Sequence, residues 1–171
     1  MWLWIPGSRA ARVSRNDSGE MMGLEDDIAF FEQVPTLAAL GPQALRVLAI
    51  GAETRTLPSG AVLYYAGEVA DGAYVVQRGS LLLEPGTFSE GREYTVGPGT
   101  LVGELALVTD VVSPATAIAK EPTVVIRLSR NLFRKMLEGY PAAAEKMRDI
   151  MAARLQAWTR DLGAVRRKLD K

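Results

Sequence analysis

The spacing of hydrophobic positions along the chain changes period twice. Leu24, Ile28 and Phe31 recur at helical spacing behind Glu25-Asp26-Asp27, acids that suit the positive end of a helix dipole. This predicts a short helix that Pro35 ends. A second helical stripe, Leu45, Leu48 and Ala49, lies within 42–52, with Pro42 placed for the first turn. From Leu57 short β-rich runs at 61–65, 73–76, 80–83, 93–96 and 123–128 alternate with Gly and Pro. Short strands separated by such punctuation predict an antiparallel sandwich or a jelly-roll β-barrel, a mainly β class with flanking α. After Leu128 the helical period returns. Ser129 is placed to cap a short helix over 130–137 that stops at Glu138-Gly139, and Tyr140-Pro141 opens a long helix towards Lys168.

Within that last segment Met147, Met151, Leu155, Trp158, Leu162, Val165 and Leu169 follow spacings of 4, 4, 3, 4, 3 and 4. The repeat is close to that of a coiled coil, and a single small barrel does not need so long a seam. A homodimer through residues 141–169 is therefore expected. The opening Met1-Trp2-Leu3-Trp4-Ile5 is apolar but stops at Pro6-Gly7, too short for a signal peptide or a membrane span. Residues 1–21 read as a flexible leader outside the fold. Residues 22–171 read as one domain, with N-terminal helices at 22–56, a β-roll at 57–128 and C-terminal helices at 129–171. The expected location is the cytoplasm.

Composition narrows the chemistry. Twenty Lys plus Arg balance twenty Asp plus Glu in 171 residues, so no global field draws nucleic acid or an anionic membrane. Histidine and cysteine are both absent. That excludes a Cys nucleophile, a Ser-His-Asp triad, a His/Cys zinc site and disulfides, and with them the metal-dependent histidine-rich jelly rolls. No metal or other cofactor is expected, and an enzyme is disfavoured.

The informative stretch is Gly103-Glu104-Leu105-Ala106-Leu107, continued by Ser113-Pro114-Ala115-Thr116-Ala117. Gly-Glu-Leu-Ala-Leu between two strand runs predicts a short helical turn whose first amides lack partners, the arrangement an anion site needs. Together with the Gly60, Gly67, Asp71, Gly79 ladder, the Tyr74-Val75-Val76 run and the flanking helices, this segment resembles the cyclic nucleotide-binding domain family over about Leu24 to Leu155. The family includes the sensor domains of bacterial catabolite-activator regulators, cyclic-nucleotide-dependent kinases and gated channels. The resemblance implies a regulatory signalling role and cAMP or cGMP as ligand. It implies Glu104 on the ribose 2′-hydroxyl and the amides near Leu105 and Ala106 on the cyclic phosphate, with Gly103 opening the turn.

One departure stands out. Counted from Gly103, the position of the family's phosphate-binding Arg is Ser113, and the next residue, whose amide also meets the phosphate, is Pro114, which has no N–H. Ala115 and Thr116 fit the pattern. The reading is a stand-alone sensor domain whose phosphate cassette lacks its Arg, or else a protein-interaction module of the same fold with a non-functional pocket and an unknown protein partner. Glu104 is either the ribose contact or an acid favoured at a helix start. Gly103 reads more simply as a tight turn, and Ser113-Pro114 is either a redesigned anion site or a decayed one, decay being the simpler account. On the long helix, Arg154 and Trp158 are placed to cover the pocket, Trp158 by stacking on a base, although its place in the seam also fits packing. The tail from Glu145 to Lys171 carries eight basic residues against four acids, most simply a solvated helix face. The chain ends directly after the long helix without a helix-turn-helix segment, so no direct DNA binding is expected.

Overall fold

The computed structural model describes residues 23–87, 91–153 and 156. The proposed leader, and Arg154 and Trp158, lie outside them, as does the seam beyond Met151.

Three short helices open the structure: α1 (Leu24–Phe31), α2 (Pro35–Ala38) and α3 (Pro42–Gly51). The Asp26 carboxylate accepts from the Gly23 amide at 2.9 Å and closes the start of α1. Pro35 does not merely end α1. It begins α2, because a proline's missing N–H costs nothing in a first turn.

Ten strands follow. A first sheet runs in the order β1 (Glu53–Leu57), β10 (Thr123–Ser129), β4 (Gly72–Arg78), β7 (Leu101–Val102). A second runs β2 (Val62–Tyr64), β9 (Ala115–Ala119), β5 (Leu81–Pro85), β6 (Tyr94–Val96), and a ribbon pairs β3 (Val69–Ala70) with β8 (Val111–Val112). All the pairings are antiparallel. The architecture is the expected jelly roll, but the sheets face one another without closing into a barrel. A 3₁₀ turn, Glu104–Leu107, lies between β7 and β8, and α4 (Arg130–Gly139) follows β10, its Ser129 Oγ accepting from the Leu132 amide at 3.2 Å. A further helix runs through 141–153.

The period-two pattern of the first sheet separates two cores. On one face Ala73, Val75, Ile126 and Leu128 pack against Phe31, Leu45, Leu48, Phe133 and Met136 of the helices. On the other, Tyr74, Val76, Val102 and Val125 meet Leu81, Leu83, Ala117 and Ala119 of the second sheet. Met147 is buried in the helical core and Met151 packs against it. The first two residues of the heptad-like repeat are thus used within the chain.

Candidate ligand site

Backbone register decides what enters the space between the sheets. Opposed residues in a ladder share a face, and Tyr74 opposes Arg127 on β10 and Val102 on β7. Arg127 in turn opposes Glu53, and Val125 opposes Arg55. Glu53, Arg55, Tyr74 and Arg127 therefore lie on the same inner face as the apolar core. From the second sheet Tyr94 opposes Leu83, and Tyr64 opposes Ala117. Alanines at 115, 117 and 119 keep the β9 side thin and leave room for these larger groups.

The result is a cavity of about 1250 Å³ bounded by both sheets, the β3–β8 ribbon and the 3₁₀ turn. Tyr64 and Tyr74 stack with ring centres 5.8 Å apart and planes at 27°, and the Arg55 guanidinium lies 5.8 Å from the centre of the Tyr74 ring. Burial pushes the Tyr64 phenol up to about 12, with smaller contributions from Tyr94 and Tyr74. Arg127, 13% exposed, bonds Asp71 at 2.6 Å and reaches Glu53 at 3.5 Å. Its burial works against the charge, but the bond and the neighbouring charge of Asp71 outweigh it and hold the pKa above the ordinary arginine value.

Gly103, Glu104, Leu105, Ala106, Ser113, Pro114 and Ala115 all line this cavity. Gly103 takes φ +75°, a left-handed conformation that turns β7 into the 3₁₀ segment at little strain for glycine. Two expectations need correction, and a third lies outside the described residues. Thr116 does not line the cavity: it alternates to the outer face of β9, where its Oγ1 accepts from the Ala66 amide at 3.0 Å. The Ala106 amide is not an outward-pointing donor, since the tight turn directs it to the Gly103 carbonyl at 3.0 Å. Trp158 and Arg154 cannot be placed, being outside the described residues. Ser113 is brought to the cavity by a clamp on its backbone: its amide donates to Glu68 O and its carbonyl accepts from the Gly67 amide, both at 2.8 Å. The Pro114 carbonyl accepts from Gly86 at 2.9 Å, which leaves the ring at the position where an amide donor would otherwise stand.

Two features escaped the sequence pattern. One is the charged inner face of β1: Glu53-Thr-Arg-Thr-Leu has no hydrophobic alternation to announce a strand. The other is Arg130. Its Nε donates to Ala106 O at 2.6 Å, its other nitrogens bond Ala70 O and Asp110, and its amide donates to Asp71 O at 2.8 Å. One side chain thus joins the 3₁₀ turn, the β3 strand and the start of α4. Leu107, buried in the helical core, makes a second attachment. Among the described residues no cluster of acids could hold a metal ion, and no helix is long and apolar enough to cross a membrane.

A roll of this topology, carrying a Gly-Glu-Leu-Ala-Leu turn against an open cavity and followed by α4, defines a mainly β domain class with a ligand-sized cavity. The chain belongs to the cyclic nucleotide-binding domain family, whose model matches residues 54–140. It is similar to a cyclic nucleotide-binding-like protein from Brucella abortus, 38% identical with a TM-score of 0.58, over 66% of this chain and 98% of that one. It is also similar to the N-terminal domain of a transcriptional regulator from Streptomyces coelicolor, 29% identical with a TM-score of 0.67, over 75% and 91% of the two chains. The cyclic AMP receptor protein of Thermus thermophilus is 28% identical over 125 residues, 71% of this chain but 57% of the receptor. The chain spans little more than half of that receptor.

Proposed function

We propose that this protein is a regulatory sensor domain that binds a small molecule between its sheets without a cassette arginine, and passes the occupancy of that site to its helices. The observation that carries the reading is the open 1250 Å³ cavity bordered by Glu104 and the Gly103 turn. A decayed site in a small domain tends to fill with side chains, because empty volume forfeits packing energy. Arg130 and Leu107 supply the route from the cavity wall to α4. A ligand that favours one placement of the 3₁₀ turn then favours one placement of that helix. The relatives named as cyclic nucleotide-binding and cyclic AMP receptor proteins support a regulatory and non-catalytic role.

The test is titration calorimetry, with thermal shift in parallel, against cAMP, cGMP and cyclic dinucleotides. The expected result is weak or undetectable binding of the cyclic mononucleotides, because Ser113 and Pro114 remove the charged and the amide partner of their phosphate. A second reading, a protein-interaction module of the same fold, is favoured by the apolar rim of the cavity. There Val69 and Val112, paired across the ribbon, are 76% and 58% exposed, and Leu105 and Val108 are exposed on the turn. A folded protein that binds no small molecule at all would select this second reading.

A further inference from the structure

The charges inside the cavity are unevenly disposed. On the cassette side stand two carboxylates, Glu68 and Glu104, with Ser113 and Pro114 where a cation and an amide donor would be needed. Glu68 already accepts from the Tyr65 amide at 3.0 Å. Among the described residues that line the cavity the positive groups are Arg55 and Arg127, both on the first sheet and not at the cassette. On the first sheet the two inner arginines differ. Arg127 is committed to Asp71 and Glu53. Arg55 has only a 3.9 Å approach to the same Glu53 oxygen that Arg127 reaches at 3.5 Å, and its side chain is 41% exposed to the cavity mouth. Its guanidinium also lies over the Tyr74 ring, but of the two arginines lining this space among the described residues it is the less tightly held. Tyr64 and Tyr94 line the same cavity with apolar Leu83, Val96 and Val102; Tyr94 is 57% exposed, while Tyr74 is buried with its ring against Tyr64 and Arg55.

We propose that the cavity takes a planar aromatic ligand carrying one acidic group, its ring against Tyr94 beside Tyr64 and its anion on Arg55 of β1. The inference rests on the sensor reading and deepens it: charge recognition has moved from the loop between β8 and β9 to the edge strand of the opposite sheet. Aromatic stacking supplies most of the contact area, and the guanidinium fork orients the acid. The phenol of Tyr64, kept neutral by its burial, remains a hydrogen-bond donor throughout the physiological range.

The probe is 1-anilinonaphthalene-8-sulfonate, whose fluorescence rises in an apolar site, with the uncharged N-phenyl-1-naphthylamine as its matched control. Both should bind the intact protein. Arg55→Gln should weaken the sulfonate about tenfold, the loss of one charge-assisted contact, and leave the neutral dye within about twofold. Arg55→Lys, which keeps the charge, should stay nearer the native value. Tyr94→Ala should weaken both dyes. Circular dichroism and the melting temperature establish that each variant is folded; Arg55 is on an edge strand and half-exposed, so its replacement leaves the core intact. If Arg55→Gln shifts both dyes equally or neither, or if Tyr94→Ala moves neither, the inference is overturned while the sensor reading stands. If the folded native protein binds neither dye, the inference is overturned, and the sensor reading is then decided by the cyclic nucleotide titrations alone.

Discussion

Repairing the cassette gives the sharpest quantitative prediction. Position 113 is held by hydrogen bonds on both sides of its backbone, so Ser113→Arg changes what enters the cavity without moving the loop. Ser113 itself is 8% exposed, but its side chain borders a space of about 1250 Å³, ample for a guanidinium beside a cyclic nucleotide. Pro114→Ala restores an N–H, while the carbonyl bonded to Gly86 is retained. One charge-assisted bond contributes about 1.5–3 kcal/mol and one neutral amide bond about 1, together about 2.5–4 kcal/mol, or roughly 10²–10³ in affinity. The Ala106 amide, spent on Gly103 O, cannot compensate in the native chain. A native Kd for cAMP no tighter than about 100 μM, falling to the micromolar range in the double variant, is expected. Ser113→Arg alone should recover less than the pair, because it supplies charge without the missing donor. Titration calorimetry on the three proteins reads the differences. Micromolar cAMP binding by the native chain would refute the reasoning, since some other group, Arg154 being the first to replace, would then hold the phosphate. A folded double variant that still fails to bind would equally refute it, showing that shape or the carboxylates of Glu68 and Glu104 close the site.

Other expectations follow from single contacts. Arg130→Met leaves the Ala106 and Ala70 carbonyls without their donor and should cost about 2–4 kcal/mol in chemical denaturation; a loss under about 1 kcal/mol would deny the junction its role. Phe133→Ala removes a fully buried ring between α4 and the first sheet and should cost about 3–5 kcal/mol by the same measurement. Tyr64 binds its proton more tightly in the folded chain, with a pKa of about 12 against an ordinary 10, so the unfolded chain loses the proton first and stability falls as pH rises from about 10 to about 12. Absorbance titration near 295 nm should show one late phenol that Tyr64→Phe removes. Light scattering should give about twice the 18.5 kDa chain mass, and Leu155→Glu with Leu162→Glu should halve it; a native monomer at tens of micromolar would end the dimer proposal.

Local chemistry determined much of this protein. Acids just after Leu24, prolines at 35 and 42 and a serine at 129 act over one helical turn, so the short helices are readable from a few adjacent residues. The apolar runs at 62–64, 72–78, 81–85 and 123–129 likewise declare themselves, because a buried strand must be continuously apolar or alternate. Five further strands did not. β1 is polar on its inner face, β3, β7 and β8 are two residues each, and the β9 sequence Ala-Thr-Ala-Ile-Ala gains its strand character from its neighbours. The Gly103 turn was legible because a left-handed residue before a short helix calls for glycine. The departure at Ser113 and Pro114 was legible because a missing charge and a missing N–H are properties of residue type. Only the tertiary structure could decide that Thr116 faces outwards, that Ala106 spends its amide internally and that Met147 is buried in the chain's own core. It also decided that Arg55, Arg127, Tyr64, Tyr74 and Tyr94 share one cavity. Those residues come from strands far apart in sequence, and their meeting depends on register between paired strands. A shift of one residue would turn each inward side chain outwards, and no single strand's sequence encodes that register alone.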